Sequence, residues 1–279
     1  MVRGSALVLG GGGVTGVAWE MGILAGLSEA GLDLSTADLL VGTSAGAAVA
    51  AQVGSGTPLA TLHERQLAGS AQEIRATLGP TVLARYLWAM LTKREPAEYG
   101  RAMGRLALGA KTVDEAERLA VIASRLPSHE WPERPVQVTA VNARTGEFRV
   151  FDRADHVPLV VAVAASCAVP GVWPPVSIDG ERWIDGGMRS AVNADLAAGC
   201  ALVVILAPIT SGFGALPSVN GQVAVLRAAG TEVVVVSPDR EARSRMGRNS
   251  LDPANRPAAA QAGYRQAALE LDRVAAVWR

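Results

Sequence analysis

Short apolar runs alternate along the chain with longer segments of helical periodicity. Runs suited to buried strands occupy residues 6–9, 39–41, 201–207 and 231–237. Between them, apolar positions recur at three- and four-residue spacing, as in helices with one buried face. Buried strands that alternate with helices are typical of α/β folds, and they predict a mostly parallel sheet with helices on both faces. Residues 240–257 are polar and are predicted to form a loop.

Two predicted hairpins interrupt this alternation. Residues 136–141 and 148–151 alternate as strands around a turn that contains glycine. Residues 176–178 and 181–184 flank an Asp-Gly pair, which is the strongest signal for a two-residue hairpin. The sheet is therefore expected to contain some antiparallel strands.

Residues 57–126 have only a helical pattern, which prolines and glycines divide into about four helices. Within them, residues 86–91 are apolar and aromatic nearly all round. They favour either a cap that meets acyl chains or a lipid surface, or simple core packing. We favour core packing because most such faces are buried. Since no repeat or linker is evident, we predict a single domain over residues 1–279 with a helical, cap-like insertion at about 57–126.

Composition narrows the class of protein. The chain has 279 residues, 49% hydrophobic and 19% charged, enough for a globular protein with a sizeable core. Lys plus Arg and Asp plus Glu are both 26, so nothing indicates a nucleic-acid-binding protein. The only cysteines, Cys167 and Cys200, are too few for a disulfide framework. The apolar run at 6–9 is too short for a signal peptide or a membrane span, and we predict a soluble, cytoplasmic protein.

A Gly-x-Ser-x-Gly motif joins the second predicted strand to a helix. Residues 39–41 run directly into Gly42, Ser44 and Gly46, and the small residues 45–51 follow. A strand that turns at once into a helix must bend sharply at the serine, so its neighbours must be small. The bend exposes the hydroxyl, and the new helix directs its free N–H groups towards it. This pattern predicts a nucleophile elbow, although an ordinary strand-to-helix turn has the same short signature.

A glycine-rich loop follows the first strand and precedes a helix predicted over residues 17–30. Gly11, Gly13 and Gly16 match the dinucleotide-binding fingerprint, which also needs an acidic residue at the end of the next strand. That strand ends instead in the elbow, and Asp38 precedes it. The alternative role of such a loop is an oxyanion hole, in which bare N–H groups contact a developing negative oxygen.

A serine hydroxyl becomes a good nucleophile only when a base takes its proton. The three histidines of the chain are His63, His129 and His156. All of them precede Asp185, so the order serine, acid, histidine of α/β-hydrolases is not available. Asp185 follows a strand and precedes two glycines, which allow the backbone to turn away and leave the carboxylate forward. A direct pair of Ser44 and Asp185 is then the simplest arrangement, unless Asp185 is only a turn residue.

Taken in order, these motifs resemble those of the patatin-like phospholipases. The loop at 11–16 resembles the family's oxyanion-hole motif, residues 42–46 its nucleophile elbow, and residues 185–187 its catalytic aspartate motif. The block at 165–176 resembles the segment between the elbow and the aspartate. The resemblance covers about residues 6–207.

The resemblance implies a three-layer α/β/α fold and a lipid acyl hydrolase that needs no metal or organic cofactor. Ser44 would be the nucleophile and Asp185 the base. The oxyanion-hole residues would be Gly11, Gly12, Gly13 and Ala45, and the remaining motif glycines are Gly16, Gly42, Gly46, Gly186 and Gly187. The implied partner is a lipid or acyl-ester substrate, with peripheral membrane contact.

One departure concerns the loop after the aspartate. The family often has Asn-x-Pro there, whereas residues 193–195 lack the proline, and we expect a reshaped loop behind Asp185. The insertion at 57–126 matches no motif and leaves substrate choice open. Two other functions remain as alternatives: a non-catalytic lipid-binding or regulatory protein that keeps the motifs, and a nucleotide-binding Rossmann-type oxidoreductase, which the missing acidic residue disfavours.

Overall fold

A mixed, mostly parallel sheet forms the centre of the protein. The computed structural model describes residues 4–69, 73–212 and 214–278. Its strands are β1 (Ser5–Leu9), β2 (Leu39–Gly42), β3 (Val136–Asn142), β4 (Phe148–Phe151), β5 (Val176–Ile178), β6 (Glu181–Asp185), β7 (Leu202–Leu206) and β8 (Glu232–Val236). All strands and both hairpins predicted from the sequence are present. The predicted domain, 1–279, and the predicted insertion, 57–126, each include residues outside the described ranges.

The strand order is β5-β6-β3-β2-β1-β7-β8, and β4 pairs with β3. The neighbouring strands β3, β2, β1, β7 and β8 are parallel to one another, while β4, β5 and β6 pair in antiparallel fashion. β3 pairs with β2 near its start and with β6 near its end. This arrangement brings the end of β6 close to the carboxyl ends of β1 and β2, although long segments separate them in sequence.

Helices cover both faces of the sheet, as predicted. They are α1 (Gly13–Glu29), α2 (Ala45–Gly54), α3 (Leu59–Ala68), α4 (Pro80–Thr92), α5 (Pro96–Leu108), α6 (Glu115–Arg125), α7 (Leu159–Ser166), α8 (Val219–Ala228), α9 (Arg240–Met246) and α10 (Arg256–Ala275). Four of them, α3 to α6, lie in the stretch where about four were expected. Among the described residues, no helix has both the length and the apolar character needed to cross a bilayer.

Alternate residues of β1 enter two different cores. Leu7 and Leu9 pack in the larger core with residues of α1, α2 and α10, whereas Ala6 and Val8 pack on the opposite face with residues of α8. Because both faces are covered, the central strands are apolar runs without polar alternation. The three layers that the sequence predicted are therefore present.

Helix α4 departs from the prediction that residues 86–91 are packed in a core. Tyr86 and Ala89 are buried in a small cluster with residues of α5, β3 and β6. The side chains on the other side of the helix are open to solvent: Leu87 is 51%, Trp88 59% and Leu91 71% exposed. Composition alone suggested burial all round, but this helix has only one covered side.

Two predicted boundaries were wrong. Helix α1 begins at Gly13, four residues earlier than predicted, despite the low helix propensity of glycine. The first residue of the helix packs closely on a distant loop, since a Cβ at Gly13 would lie 2.5 Å from the Ser250 carbonyl oxygen. Residues 240–257 are not all loop, since α9 lies within them. The Asp239 carboxylate accepts a hydrogen bond from the Ala242 N–H over 2.7 Å and caps the start of this helix.

Candidate active site

Ser44 stands between β2 and α2 in a backbone conformation that side chains rarely adopt. Its φ is 53°, in the positive region that non-glycine residues usually avoid. Two neighbours hold this conformation: the Ser44 N–H donates to Ser166 Oγ over 2.9 Å, and Cys167 Sγ donates to the Ser44 carbonyl over 3.1 Å. Cys167 is buried, as expected for a small packed residue, but it also supports the bend.

The glycines of the elbow allow close contact with the neighbouring strand and helix. A Cβ atom at Gly46 would lie 2.0 Å from the Leu9 carbonyl oxygen, and one at Gly42 would lie 2.5 Å from Ala47 Cα. The Gly46 N–H donates to the Gly10 carbonyl over 3.0 Å. The elbow is thereby fixed against the glycine-rich loop.

The hydroxyl of Ser44 donates a hydrogen bond to Asp185. Its Oγ lies 2.6 Å from Asp185 Oδ2, and the Gly187 N–H donates to the other carboxylate oxygen over 2.7 Å. Asp185 is the last residue of β6, and Gly186 directly after it packs so closely on β3 that a Cβ there would lie 2.2 Å from Thr139 Oγ1. One carboxylate is thus oriented by a backbone N–H and aimed at the serine.

Burial changes the acidity of this carboxyl group. Asp185 is only 3% exposed, and desolvation raises its pKa from 3.8 to about 7, although the hydrogen bonds from Ser44 and Gly187 act in the opposite direction. A carboxylate with a pKa near neutrality is a far better proton acceptor than an exposed aspartate. A pKa near neutrality therefore suits Asp185 to the role of proton acceptor at physiological pH.

The glycine-rich loop brings several backbone N–H groups to the same place, and they are not all free. The Gly11 N–H donates to the Ala191 carbonyl over 2.8 Å. By contrast, the N–H groups of Gly12, Gly13 and Ala45 have no partner among the residues described. Because α1 and α2 both begin here, two positive helix ends meet beside Ser44. Three of the four predicted N–H donors are therefore open, whereas the Gly11 N–H already donates to the Ala191 carbonyl.

Asn193 was not predicted to be a site residue. Only the missing proline of the family's Asn-x-Pro motif was evident there from the sequence. Asn193 is fully buried in a left-handed conformation with φ 48°. Its side-chain N–H groups donate to the Ser190 carbonyl over 3.1 Å and to the Gly186 carbonyl over 3.4 Å. The loop behind Asp185 is therefore closed by the asparagine itself.

Glu20 is a second residue that the sequence did not reveal. It is buried in α1, and its Oε1 accepts the Gly10 N–H over 2.9 Å at the base of the glycine-rich loop. Burial raises its pKa well above the ordinary value, although the hydrogen bond from the Gly10 N–H acts in the opposite direction. A lone glutamate in an apolar helix has no motif that would have identified it.

The histidines lie elsewhere. His63 stacks on Tyr264, His129 Nε2 lies 3.0 Å from the Ala123 carbonyl, and His156 occupies a left-handed turn before α7. None of the three forms a hydrogen bond with the serine or the aspartate described above. The geometry thus pairs Ser44 with Asp185 and leaves the histidines without a hydrogen bond to either residue.

The rival dinucleotide site lacks its acidic residue in space as well as in sequence. Asp38 precedes β2, at the opposite end of that strand from the elbow. Its carboxylate accepts hydrogen bonds from the Ser5 N–H over 2.7 Å and from the Ser5 hydroxyl over 3.0 Å. It is therefore not placed to hold a ribose beside the glycine-rich loop.

Comparison with known proteins identifies a family and several solved structures with a similar fold. The family model described as patatin-like phospholipase matches residues 7–198. No curated protein sequence matches the chain. Among solved structures, VipD from Legionella pneumophila is 14% identical, with a TM-score of 0.48, and the match covers 97% of this chain and 67% of VipD. The type III effector protein ExoU is 18% identical, with a TM-score of 0.44, and the match covers 98% of this chain and 53% of ExoU. The chain thus spans about half the length of ExoU.

Proposed function

The chain belongs to the patatin-like phospholipase family, and from that premise we propose that it hydrolyses lipid esters through Ser44 and Asp185. Membership implies a lipid acyl hydrolase of the serine hydrolase type. The observation that carries the assignment of residues is the 2.6 Å hydrogen bond from Ser44 Oγ to a buried carboxylate. Backbone strain such as that at Ser44 is typical of functional sites, whereas a serine and an aspartate in an ordinary surface turn do not require it.

The proposed reaction has two steps. Ser44 Oγ attacks the ester carbonyl carbon while its proton passes to Asp185, and the resulting oxyanion is held by the N–H groups of Gly12, Gly13 and Ala45. The alcohol then leaves with the proton from Asp185, which produces an acyl-enzyme. Water attacks the acyl carbonyl carbon while Asp185 accepts a proton from the water. The C–O bond to Ser44 then breaks, Asp185 returns the proton to Ser44 Oγ, and the carboxylic acid is released. Each oxyanion donor contributes on the order of a hundred- to a thousandfold to such rates.

A lipid substrate also needs a route to the site, and helix α4 supplies a candidate surface. Its outward side carries Leu83, Leu87, Trp88 and Leu91, of which Leu83 is the least exposed at 48%. Its inward residue Tyr86 donates a hydrogen bond to the Pro170 carbonyl over 3.1 Å, within the segment that leads to the aspartate. The apolar surface is therefore the outer side of a helix whose inner side adjoins the dyad.

The charges around this surface favour an anionic bilayer as its partner. Arg85, Lys93 and Arg94 lie on or directly after the helix, and the Lys93 ammonium lies 5.3 Å from the Trp88 ring centroid. Amphipathic helices with leucine and tryptophan on one side and basic residues beside them bind membrane interfaces. We therefore place the proposed peripheral membrane contact at α4. The predicted cytoplasmic location stays a prediction.

The function is tested by following fatty-acid release from anionic phospholipid vesicles and from a short-chain nitrophenyl ester. Ser44→Ala should abolish release from both, with an unchanged circular dichroism spectrum. Ser55→Ala, which removes another hydroxyl just after α2, should retain wild-type rates. If Ser44→Ala retains the activity, the assignment of the nucleophile is wrong. If the folded wild type hydrolyses neither ester but still binds vesicles, the lipid-binding alternative gains support.

A further inference from the structure

A small cavity beside Ser44 has in its wall an arginine, Arg118, that has no hydrogen-bond acceptor among the described residues. Its volume is about 20 Å³, and its walls include Ser44, Val14, Trp173, Leu251 and Arg118. This volume holds about one water molecule, so a lipid enters only when the walls move apart. Most of the lining is apolar, as an acyl ester requires, and the arginine is the exception that calls for an explanation.

Arg118 belongs to α6 and is almost completely enclosed. It is 3% exposed, and its guanidinium carbon lies 3.9 Å from the centroid of the Trp173 ring. Its Nε and Nη1 are buried without a hydrogen-bond partner in the described part of the chain. Buried polar groups are nearly always hydrogen-bonded, and a buried cation without an anion is especially unfavourable.

Nearby arginines differ in that each has an acceptor. Arg125 donates to both oxygens of Glu73, over 3.0 and 2.6 Å. Arg256 donates to the same carboxylate over 3.1 Å and to Gln66 Oε1 over 2.8 Å. Both oxygens of Glu73 thereby accept hydrogen bonds from these two arginines, and Arg118, although near enough to interact with the Glu73 charge, donates to neither oxygen. The region has more positive than negative charge, and the excess is at the cavity that contains the nucleophile.

The lining of the cavity places this excess charge close to the reacting atoms. Arg118 and Cys167 line it together, and the Cys167 thiol donates to the Ser44 carbonyl over 3.1 Å. Arg125 also lines the cavity, but its Nε and Nη2 donate to Glu73. Arg118 differs in that it donates to no carboxylate in the described part of the chain.

We infer that Arg118 is the anion-recognition residue of this site and that it binds the phosphodiester of a glycerophospholipid whose acyl ester lies at Ser44. The inference rests on the proposed function. A guanidinium group presents parallel N–H donors that match two phosphate oxygens, and Trp173 holds its plane in place. In a glycerophospholipid, the phosphate and an acyl ester are attached to adjacent carbons of glycerol. Because Ser44 and Arg118 line the same cavity, a glycerophospholipid that separates its walls can present an ester to Ser44 and its phosphate to Arg118.

The test compares two soluble diesters with identical acyl chains, dihexanoyl phosphatidylcholine and dihexanoylglycerol. Only the first carries a phosphate. For Arg118→Met, the ratio of kcat/KM for the phospholipid to that for the diglyceride should fall on the order of 10- to 100-fold, as expected when a charge-assisted hydrogen bond is lost. Arg118→Lys should recover part of the ratio, because lysine restores the positive charge but not the pair of parallel N–H donors. Arg105→Met, an exposed arginine on α5, should keep the wild-type ratio.

An unchanged ratio in a folded Arg118→Met variant overturns the inference. If that variant does not fold, glycerol phosphate decides: it should inhibit diglyceride hydrolysis by the wild type competitively, and no inhibition would contradict the inference. Inorganic phosphate that inhibits as strongly as glycerol phosphate would indicate a site for free phosphate and not for a lipid. A wild type that hydrolyses neither diester refutes the proposed function itself, whereas one that hydrolyses only the diglyceride refutes the role of Arg118 alone.

Discussion

The side-chain amide of Asn193 donates a hydrogen bond to Thr43 Oγ1 over 3.0 Å and so joins the loop after the aspartate to the residue before the nucleophile. Thr43 in turn accepts a hydrogen bond from Thr139 Oγ1 over 3.1 Å, which ties both to β3. All three side chains are buried. The distance between Ser44 and Asp185 is therefore set by a polar network behind them.

This network predicts that Asn193 supports both stability and catalysis. Asn193→Ala should lower the free energy of unfolding by about 1–3 kcal/mol, because buried acceptors lose their donor. Asn193→Asp keeps the shape but removes the N–H groups, and its kcat should fall with little change in KM. Urea denaturation and steady-state kinetics measure these effects. Asn220→Ala, on the exposed side of α8, is the matched control. Wild-type stability and kcat in both Asn193 variants would show that the network is dispensable.

The raised pKa of Asp185 predicts a pH profile. Only the ionised carboxylate accepts the serine proton, so kcat/KM should increase with pH, reach half its maximum near the pKa of about 7 and then level off. A profile of nitrophenyl ester hydrolysis between about pH 5 and 9 checks this. Activity that is constant over this interval would mean that Asp185 is not the base.

The same pKa predicts a conflict between stability and activity. The native carboxyl binds its proton more tightly than the unfolded one does, so between pH 3.8 and about 7 the native state carries more protons. The free energy of unfolding should therefore fall as pH rises through this interval. Asp185→Asn does not titrate, and it should be inactive yet more stable than the wild type at a pH above the pKa. Urea denaturation on both sides of pH 7 measures the difference. A variant that is less stable than the wild type on the alkaline side would contradict this reasoning.

The exposed side of α4 predicts a selective loss of activity on vesicles. Leu87→Glu and Leu91→Glu place charge on the proposed membrane surface, and the ratio of the vesicle rate to the soluble-ester rate should fall on the order of tenfold. Leu269 on α10 is exposed to a similar degree, 70% against 71% for Leu91, and Leu269→Glu should leave the ratio unchanged. Co-sedimentation with anionic vesicles gives the binding directly. An equal effect of all three substitutions would exclude a specific role for α4.

Much of this architecture was predictable because its signals are local. The apolar runs of β1, β2, β7 and β8 and the glycines around Ser44 follow from what buried strands and a tight bend require. The pairing of Ser44 with Asp185 came from the order of the motifs and from the lack of a suitably placed histidine. Local patterns, in turn, predicted the mostly parallel sheet and the four helices between residues 57 and 126.

What the sequence could not reveal depends on contacts between distant residues. Asn193 and Glu20 are buried polar residues without a motif, and their role depends on which N–H and carbonyl groups lie opposite them. The exposure of Leu91 depends on which side of α4 remains uncovered, which helical periodicity does not specify. The use of the Gly11 N–H by Ala191 follows from a loop far along the chain. The predicted helix, residues 17–30, left out the first turn of α1, because packing outweighed the low helix propensity of its glycines.

The central claim, that Ser44 is activated by Asp185, is tested most directly by labelling with a fluorophosphonate. Intact mass and peptide mapping should place one adduct on Ser44 of the wild type. Ser44→Ala should give no adduct, and Asp185→Asn should label at least about a hundredfold more slowly because its nucleophile lacks a base. A folded wild type that stays unlabelled, or an adduct on another serine, would contradict the account.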